Sequence, residues 1–371
     1  MKPSGKSLRY GYTTGACATA AAKAALDSIL SGGFRDTVRI TLPDGSPAVF
    51  SLEQCSLSHS SSRCCVRKDA GDDPDVTNGF LICCEVETDH TLADGSVVFL
   101  RGPGVGEVTL PGLGIEVGDP AINPVPRTMI CQSLQELLDE YAIKGGVRVT
   151  VSVPGGEEVA LKTLNARVGV KGGISIIGTS GRVIPYSEEA FLQSTARMVQ
   201  VARQSGTREL VVTAGIRSEK MLKPFFSSLP DTACIHYGNR IGSTLELVRQ
   251  DNCFDRVTVG VMLAKATKLA QGERDLSSRS VDLNREFIAG LLWDTGYGED
   301  AVRRAGGLEL VRAIVEIIPF SSGEPFYTKL AESCRKVCRN YLPSGHLDFV
   351  LITMDNGCIL CNEHGCRDMH R

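Results

Sequence analysis

The pattern of apolar and polar positions changes along the chain, and the change predicts two kinds of architecture. In residues 1–204, short β-branched runs alternate with turns rich in glycine and proline, which is typical of antiparallel strand pairs. Residues 36–42 and 48–52 flank the turn at 43–45 and predict a hairpin. Residues 64–68 and 80–88 predict a second strand pair around a long polar loop.

The remainder of this first region mixes helical and extended patterns. Residues 127–142 carry apolar side chains at helical spacing after an Asn-Pro start, which predicts a helix. Residues 146–163 predict a hairpin closed by a Pro-Gly-Gly turn, and residues 174–177 predict an apolar strand. A helix that begins near Ser187 completes the region.

After Gln204 the pattern becomes strand, Gly-containing turn and helix, and it repeats. Residues 208–214, 232–236 and 256–261 predict three such strands, which indicates a parallel sheet with helical crossovers. We therefore expect a domain of residues 1–204 and a second of residues 205–371. The second continues with helices near 284–293, 299–317 and 325–341, a strand at 347–353, and a Cys/His-rich tail.

Composition narrows the class of protein. The 371 residues include 42% hydrophobic and only 6% aromatic side chains, with 39 glycines, which suits an α/β protein with many tight turns. The formal net charge is -3 and no basic run alternates with aromatic residues, so we expect neither nucleic-acid nor membrane binding. The N-terminus lacks the apolar core of a signal peptide, and the expected location is the cytoplasm.

Fourteen cysteines are spread over the chain. The adjacent pairs at 64–65 and 83–84 are expected to be reduced core residues, because neighbours on a strand point to opposite faces. In the tail, the spacing of Cys358 and Cys361 with His364 and Cys366 nearby is compatible with a zinc site. Half of the usual paired motif is missing, and the alternative is a disordered, reduced tail.

The start of the Ala-rich segment at 8–26 is a candidate anion site. Thr13 or Thr14 can cap the helix, and Gly15 leaves room for a ligand at the first backbone N–H groups. The alternative is an ordinary Thr cap on a helix that packs tightly against a sheet.

The loop at 68–79, KDAGDDPDVTNG, concentrates negative charge. Asp69, Asp72, Asp73 and Asp75 repel one another unless a cation or proton donor lies among them. A solvated turn is the alternative, while the spacing of an EF-hand is absent.

The carboxyl ends of the predicted parallel strands define a second candidate site, since ligands of such sheets bind at that edge. The GxGxxG dinucleotide motif is absent from this chain. The residues expected near one crevice are Thr213, Gly215, Glu219, Gly238, Asn239, Gly242 and Lys265.

Five motifs in this order resemble the cobalt-precorrin-5B C1-methyltransferase family of anaerobic cobalamin biosynthesis. They are GYTTGACATAAAKAA, KDAGDDPDVTNG, GDPAINPVPRTMI, the segment from VSVPGGEEVALKT to GRVIP, and TAGIRSE followed by GNRIG. The resemblance implies an α+β first domain and a Rossmann-like second domain with a parallel sheet. It also implies S-adenosyl-L-methionine as cofactor and a cobalt-containing tetrapyrrole as substrate, with cobalt present only as part of that substrate.

For the reaction that the resemblance implies, the chemistry of the candidate residues suggests a role for each. Asp72, Asp73 and Asp75 offer the base; Thr13, Thr14, Gly15, Arg127, Arg167 and Lys171 would receive the acidic arms of the macrocycle. Arg127 has the alternative of pairing with Asp119 on the surface. The crevice would hold the cofactor, with Glu219 or Asp231 at the ribose hydroxyls. Hand-over of the substrate from neighbouring pathway enzymes is a further expectation.

The chain departs from the family in its third strand-helix unit. Met262 and Ser277 stand where histidines are expected, while Lys265 and Lys268 remain. Two other classes of function are weighed against the methyltransferase. One is a small-molecule kinase, which would need the complete P-loop motif GxxxxGK[ST], and that motif is missing; the other is a non-enzymatic corrinoid or metal carrier.

Overall fold

A computed structural model of the chain describes residues 8–277, 284–355 and 357–370. It shows a mixed α/β fold with parallel sheet segments, divided into two units, Met1–Glu188 and Glu189–Arg371. The domain boundary expected near Gln204 stays a prediction; the division in the structure falls after the first residue of the helix Glu188–Gln204.

The first unit combines short strands with three helices. Its strands are Gly11–Tyr12 (β1), Thr37–Thr41 (β2), Pro47–Ser51 (β3), Glu53–Leu57 (β4), Ser61–Arg67 (β5), Leu81–Asp89 (β6), Val97–Arg101 (β7), Glu107–Val108 (β8), Gly146–Ser152 (β9), Val170–Lys171 (β10) and Arg182–Val183 (β11). Its helices are Thr14–Ser31 (α1), Pro124–Glu140 (α2) and Gly156–Ala160 (α3). Five strands form one sheet in the order β4-β5-β6-β9-β7, in which only β7 and β9 run parallel.

Helix α1 lies at the centre of the first unit's core, packed against β5, β6 and α2. Its alanines are buried, and their small side chains let the helix backbone approach the sheet closely, as the Cys84 Sγ to Ala18 O distance of 3.2 Å shows. A Cβ at Gly15 would stand 2.6 Å from Cγ of Pro126 in α2. This glycine is therefore required by the close contact between the two helices.

Two predictions for the first unit are wrong. Residues 146–163 do not form a hairpin, since β9 pairs with β6 and β7 while the second half is α3. Gly155 at φ +80° and two glutamates in the first turn favour a helix start over a turn between strands. Residues 174–177 form isolated bridges at Ile174 and Ile176 in place of a continuous strand.

The cysteines of β5 and β6 also differ from expectation. Cys65 and Cys83 oppose each other directly in the antiparallel register, with Cα atoms 4.0 Å apart, and form a disulfide. Neighbouring residues on one strand do point to opposite faces, but residues directly opposite each other on paired strands share a face. Neither Cys-Cys dipeptide by itself shows which cysteine of the other strand lies opposite. Cys64 and Cys84 are free and buried, as expected.

The second unit is built on a six-stranded sheet. Its strands are Glu209–Thr213 (β12), Cys234–His236 (β13), Arg256–Met262 (β14), His346–Ile352 (β15), Cys358–Asn362 (β16) and Gly365–Asp368 (β17). Its helices are Glu188–Gln204 (α4), Ile216–Leu222 (α5), Ile241–Asp251 (α6), Leu263–Leu269 (α7), Arg285–Asp294 (α8), Glu299–Gly306 (α9) and Pro325–Tyr341 (α10). The strand order is β13-β12-β14-β15-β16-β17, and the first four strands are parallel, which confirms the predicted parallel sheet.

Two details of this unit correct the sequence analysis. The helix expected at 299–317 ends at Gly306, and a 3-10 turn at 311–316 follows. The tail is an ordered antiparallel hairpin, β16 and β17, that extends the sheet beyond β15. In the part of the chain that the structure describes, no helix is both long and apolar enough to cross a bilayer.

Candidate functional site

The start of α1 is tied to a glycine-rich turn of the same unit. Thr13 caps the helix, since its Oγ1 accepts from the Ala16 N–H at 3.2 Å, and Thr14 Oγ1 accepts from the Ile177 N–H at 2.8 Å. The Gly15 N–H donates to the Ile177 carbonyl at 2.9 Å. The expectation that Gly15 opens free N–H groups to an anion is therefore wrong for its own amide, which already has an acceptor.

The Asp-rich loop is neutralised from two sides. Arg9 forms a bidentate pair with Asp69, and the Arg9 backbone N–H donates to Asp72 Oδ2 at 2.7 Å. The guanidinium hydrogen bonds hold the pKa of Asp69 below its ordinary value. The cation that the sequence required is thus confirmed, and it comes from a residue outside the loop.

The second cation is Lys68, the first residue of the loop. Its side chain is 1% exposed, and its Nζ lies 2.7 Å from Asp75 Oδ2. Burial acts to raise the pKa of Asp75, but the Lys68 ammonium and two hydrogen bonds from Thr77 outweigh it, so the pKa lies below the ordinary value. A carboxylate with a depressed pKa is a weak base, which argues against Asp75 as the proton acceptor.

Backbone contacts bring the predicted motifs of the first unit together. The Tyr12 N–H donates to the Asp69 carbonyl at 2.8 Å, and the Thr13 N–H donates to the Gly181 carbonyl at 3.0 Å. Asp73 Oδ1 accepts from the Tyr186 N–H at 2.9 Å. The start of α1, the Asp-rich loop and the segment 181–186 therefore form one cluster, although they are far apart in sequence.

The three basic residues assigned to substrate arms lie in different settings. Arg127 pairs with Asp119 at 2.9 Å, its Nε donates to the Ile122 carbonyl, and its guanidinium lies over the Phe99 ring. The surface-pairing alternative is thus the one the structure shows. Arg167 is half-buried in a 3-10 turn, and Lys171 is exposed on β10.

In the second unit, the carboxyl ends of β12, β13 and β14 meet at one edge, as predicted. Thr213 ends β12 and is in register with His236 and Gly260. The strand order places β13 and β14 on either side of β12, so the direction in which successive strands are added to the sheet reverses at β12. In open α/β sheets, ligands bind at the carboxyl ends of the strands at such a reversal. An ideal Cβ at Gly215 meets no heavy atom of the described residues within 4 Å.

The turn after β13 is fixed on both sides. The Gly238 N–H donates to the Ala214 carbonyl at 3.1 Å, and the Asn239 carbonyl accepts from the Leu276 N–H at 2.8 Å. Gly238 has φ +58°, and a Cβ there would stand 2.9 Å from the Phe191 ring. A Cβ at Gly242 would lie 3.1 Å from Arg274 Cβ, so this glycine is also closely packed.

Lys265 is a half-buried lysine at this edge. Its ammonium donates to the Gly238 carbonyl and lies 5.4 Å from the centroid of the Tyr237 ring. Burial lowers its pKa to about 8, so both protonation states are accessible near neutral pH. Of the departures from the family pattern, Met262 precedes α7, and the Ser277 carbonyl accepts from Lys268 Nζ at 3.0 Å.

Two predicted ribose ligands have other partners. Glu219 is 8% exposed, and its Oε2 lies 2.6 Å from Nε2 of His236. Asp231 is exposed and forms an ion pair with Lys223. Each carboxylate therefore already has a partner, an imidazole for Glu219 and an ammonium for Asp231.

Sequence reasoning missed three residues that the geometry places in these sites: Arg9, Lys68 and His236. Lys68 is the first residue of the acidic loop, and His236 ends a strand at the ligand edge. The position of each residue in the sequence could therefore have pointed to it. Arg9 lies some sixty residues from Asp69, and only the folded chain brings them together.

The candidate zinc ligands of the tail do not converge. Cys358 and Cys361 are three residues apart on β16, and therefore on opposite faces of the sheet. Cys358 lies in a buried apolar cluster, Cys361 opposes Cys366 on β17, and His364 is largely exposed in the turn. Among the described residues, no group of three or more His, Cys, Asp or Glu side chains is arranged to hold a metal ion.

The fold is mixed α/β with parallel sheet segments, and comparison with known proteins gives the family. Residues 1–185 match the family model described as CbiD, and residues 275–363 match the one described as CbiD, C-terminal domain. The chain belongs to the CbiD family.

Relatives extend the similarity over almost the whole chain. A protein of Prosthecochloris aestuarii (strain DSM 271 / SK 413) named cobalt-precorrin-5B C(1)-methyltransferase is 65% identical, covering 98% of each chain. A Priestia megaterium protein of the same name is 42% identical, covering 89% of each. A 1.9 Å crystal structure of a cobalamin biosynthesis protein (cbiD) from Archaeoglobus fulgidus is 29% identical, covering 68% of this chain and 76% of that one, with a TM-score of 0.39.

Proposed function

We propose that the protein methylates C1 of cobalt-precorrin-5B, with S-adenosyl-L-methionine as the methyl donor. The observation that carries the proposal is the 65% identity over 98% of the chain to a protein named for that reaction. The finer architecture is proposed with it: an α+β domain on the macrocycle side and a Rossmann-like domain on the cofactor side.

The residues at the sheet edge fit the methyl donor. Open space at Gly215, the polar turn at 238–242 and the side chain of Lys265 suit a ligand that carries an amino-acid group and a nucleoside. When bound, S-adenosyl-L-methionine supplies an activated methyl group on sulfur. The proposed cofactor residues are Thr213, Gly215, Gly238, Asn239, Gly242 and Lys265.

The cluster in the first unit is proposed to hold the macrocycle. The macrocycle carries several carboxylate arms. Arg9 is an exposed cation whose guanidinium pairs with Asp69 and whose backbone N–H donates to Asp72. Arg9 joins Arg167 and Lys171 as a receiver of those arms, while Arg127 is already paired with Asp119. Thr13, Thr14 and Gly15 shape the backbone beside them. Asp72 and Asp73 then act by fixing Arg9 and Tyr186.

The protein's main contribution is to position two reactants and exclude water, because the sulfonium is already a good leaving group. The direct test is incubation of the purified protein with cobalt-precorrin-5B and methyl-labelled S-adenosylmethionine. Label in the macrocycle, with formation of S-adenosylhomocysteine, supports the proposal. Binding of ATP without S-adenosylmethionine would support the kinase, and binding of neither would support the carrier.

Arg9→Gln is expected to raise KM for the macrocycle by roughly 5–20-fold, because a charge-assisted contact with a carboxylate is worth about 1.5–3 kcal/mol at most and less at an exposed site. The dissociation constant for S-adenosylmethionine should stay unchanged. Steady-state kinetics and calorimetry measure the two quantities.

Arg35→Gln is the matched control for Arg9. Arg35 is also exposed and also pairs with an aspartate, Asp27, but it lies outside the cluster. If both variants raise KM equally, the effect is general electrostatics, and if neither does, Arg9 has no role in substrate binding.

Lys265 should react with cyanate along a pH curve centred near 8, because only the neutral amine is nucleophilic and burial lowers its pKa to about 8. Peptide mass spectrometry after brief exposure at pH 7 to 10 measures the curve. S-adenosylmethionine should protect the residue if it binds at this edge.

Lys265→Arg removes the labelled peptide and checks its assignment. A labelling midpoint above pH 10 would contradict the lowered pKa. Unprotected labelling in the presence of saturating S-adenosylmethionine would place the cofactor elsewhere.

A further inference from the structure

A buried histidine and a buried carboxylate form a pair at the carboxyl end of the parallel sheet. His236 ends β13 and is 7% exposed; Glu219 lies on α5 and is 8% exposed. The distance from His236 Nε2 to Glu219 Oε2 is 2.6 Å. Because an ionised carboxylate can only accept, it fixes the imidazole with the hydrogen on Nε2 and leaves Nδ1 as the basic nitrogen.

The pair lies beside the proposed cofactor residues. His236 is in register with Thr213, and the next residue, Tyr237, donates its N–H to the Thr213 carbonyl at 2.8 Å. Glu219 belongs to the helix that begins directly after Gly215, and its own N–H donates to the Gly215 carbonyl at 3.0 Å. Both members are therefore anchored to the residues that border the open space at Gly215.

The proposed reaction releases one proton. A bond forms between the ring carbon and the methyl group while the sulfur–methyl bond breaks and its electron pair stays on sulfur. The positive charge of the sulfonium passes to the substrate, which must lose one proton to become the product. A base beside the cofactor is next to the part of the macrocycle that receives the methyl group, which is a suitable place to take up this proton.

We propose that His236 accepts this proton on Nδ1 and that Glu219 is the residue that positions it. The proposal rests on the methyltransferase function proposed above. Glu219 holds the required tautomer and stabilises the imidazolium that forms, which is the role a carboxylate has in other carboxylate–histidine pairs. The proton then passes from the imidazolium to solvent.

His236→Gln is expected to lower kcat by about 10²–10⁴-fold, the usual contribution of a positioned base. KM for the macrocycle and the dissociation constant for S-adenosylmethionine should change less than about threefold. Glu219→Gln keeps an oxygen that can accept from Nε2 and should lower kcat by roughly 10-fold or more. The double variant should be no slower than His236→Gln, because the two residues act as one unit.

His346→Gln is the matched control. This histidine is at the first residue of β15, at the amino end of the same sheet, and it is largely exposed. It should have wild-type kcat. Urea unfolding of every variant separates catalysis from stability, and if His236→Gln is unstable, Glu219→Gln carries the test.

The outcomes separate the inference from the function on which it rests. If the wild-type protein transfers the methyl group and His236→Gln keeps the full kcat, the assignment of His236 as the base is overturned and the proposed function stands. Additive losses in the double variant, or a loss confined to cofactor affinity, overturn it as well. Absence of methyl transfer in the wild-type protein overturns the proposed function and this inference together.

Discussion

Replacing Gly215 with leucine should weaken binding of S-adenosylmethionine at least about 100-fold, which corresponds to about 2.8 kcal/mol. Gly215 has φ 162°, an extended conformation that any residue adopts, and a Cβ there meets no heavy atom of the described residues within 4 Å. The leucine side chain should therefore occupy the crevice without straining the backbone. Calorimetry measures the affinity, and urea unfolding should show a change within about 1 kcal/mol.

Gly290→Leu is the control for Gly215→Leu. Gly290 lies on the exposed side of α8 in the same unit, and a Cβ there also has open space among the described residues. It should bind the cofactor normally. Undiminished affinity in Gly215→Leu would move the cofactor site away from the end of β12.

From sequence alone, Gly238 is an equally good position at which to block the cofactor site with a leucine, because it also follows a strand. The structure shows why it is a poorer one. Its φ of +58° is costly for leucine, and a Cβ would stand 2.9 Å from the Phe191 ring. Loss of binding in a Gly238 variant would then not separate a blocked site from a distorted turn.

The difference between local sequence signals and contacts made only in the folded chain explains how much of the fold could be predicted. Period-2 and strand-turn-helix patterns are local signals, and the parallel strands β12 to β14 were found in place from them. Pairing between distant segments has no such signal. The pairing of β9 with β6 and β7 depends on segments that lie far from β9 in the sequence. The Cys65–Cys83 bond depends on the register of two strands, which the strand pattern alone does not specify.

For the candidate sites, too, the sequence predicts the location but not the contacts between side chains. Sequence located the acidic loop and the sheet edge, because both are marked by composition or by position after a strand. It could not identify which charges were already paired. Asp75 was assigned as a base, and the buried ammonium of Lys68 that depresses its pKa became evident only from the packing of the loop.

Asp75→Asn should reduce the free energy of unfolding by about 3–5 kcal/mol, because it leaves the Lys68 ammonium buried without its counter-ion. Lys68 is 1% exposed and lies 2.7 Å from Asp75. The lowered pKa gives the sign of the pH dependence. The stabilisation is present above the unfolded-state pKa of about 3.9 and is lost as pH falls through the lower folded-state value. Urea titrations from pH 3 to 7 measure both effects.

Two variants show whether this loss comes from the buried pair. Lys68→Met combined with Asp75→Asn should be more stable than Asp75→Asn alone, since it removes the unpaired charge as well. Asp94→Asn removes an exposed partner of Lys144 and should cost no more than about 1 kcal/mol. If Asp75→Asn is as mild as Asp94→Asn, the Lys68–Asp75 pair does not stabilise the loop, and the carboxylate becomes available again for the role in catalysis that the sequence suggested.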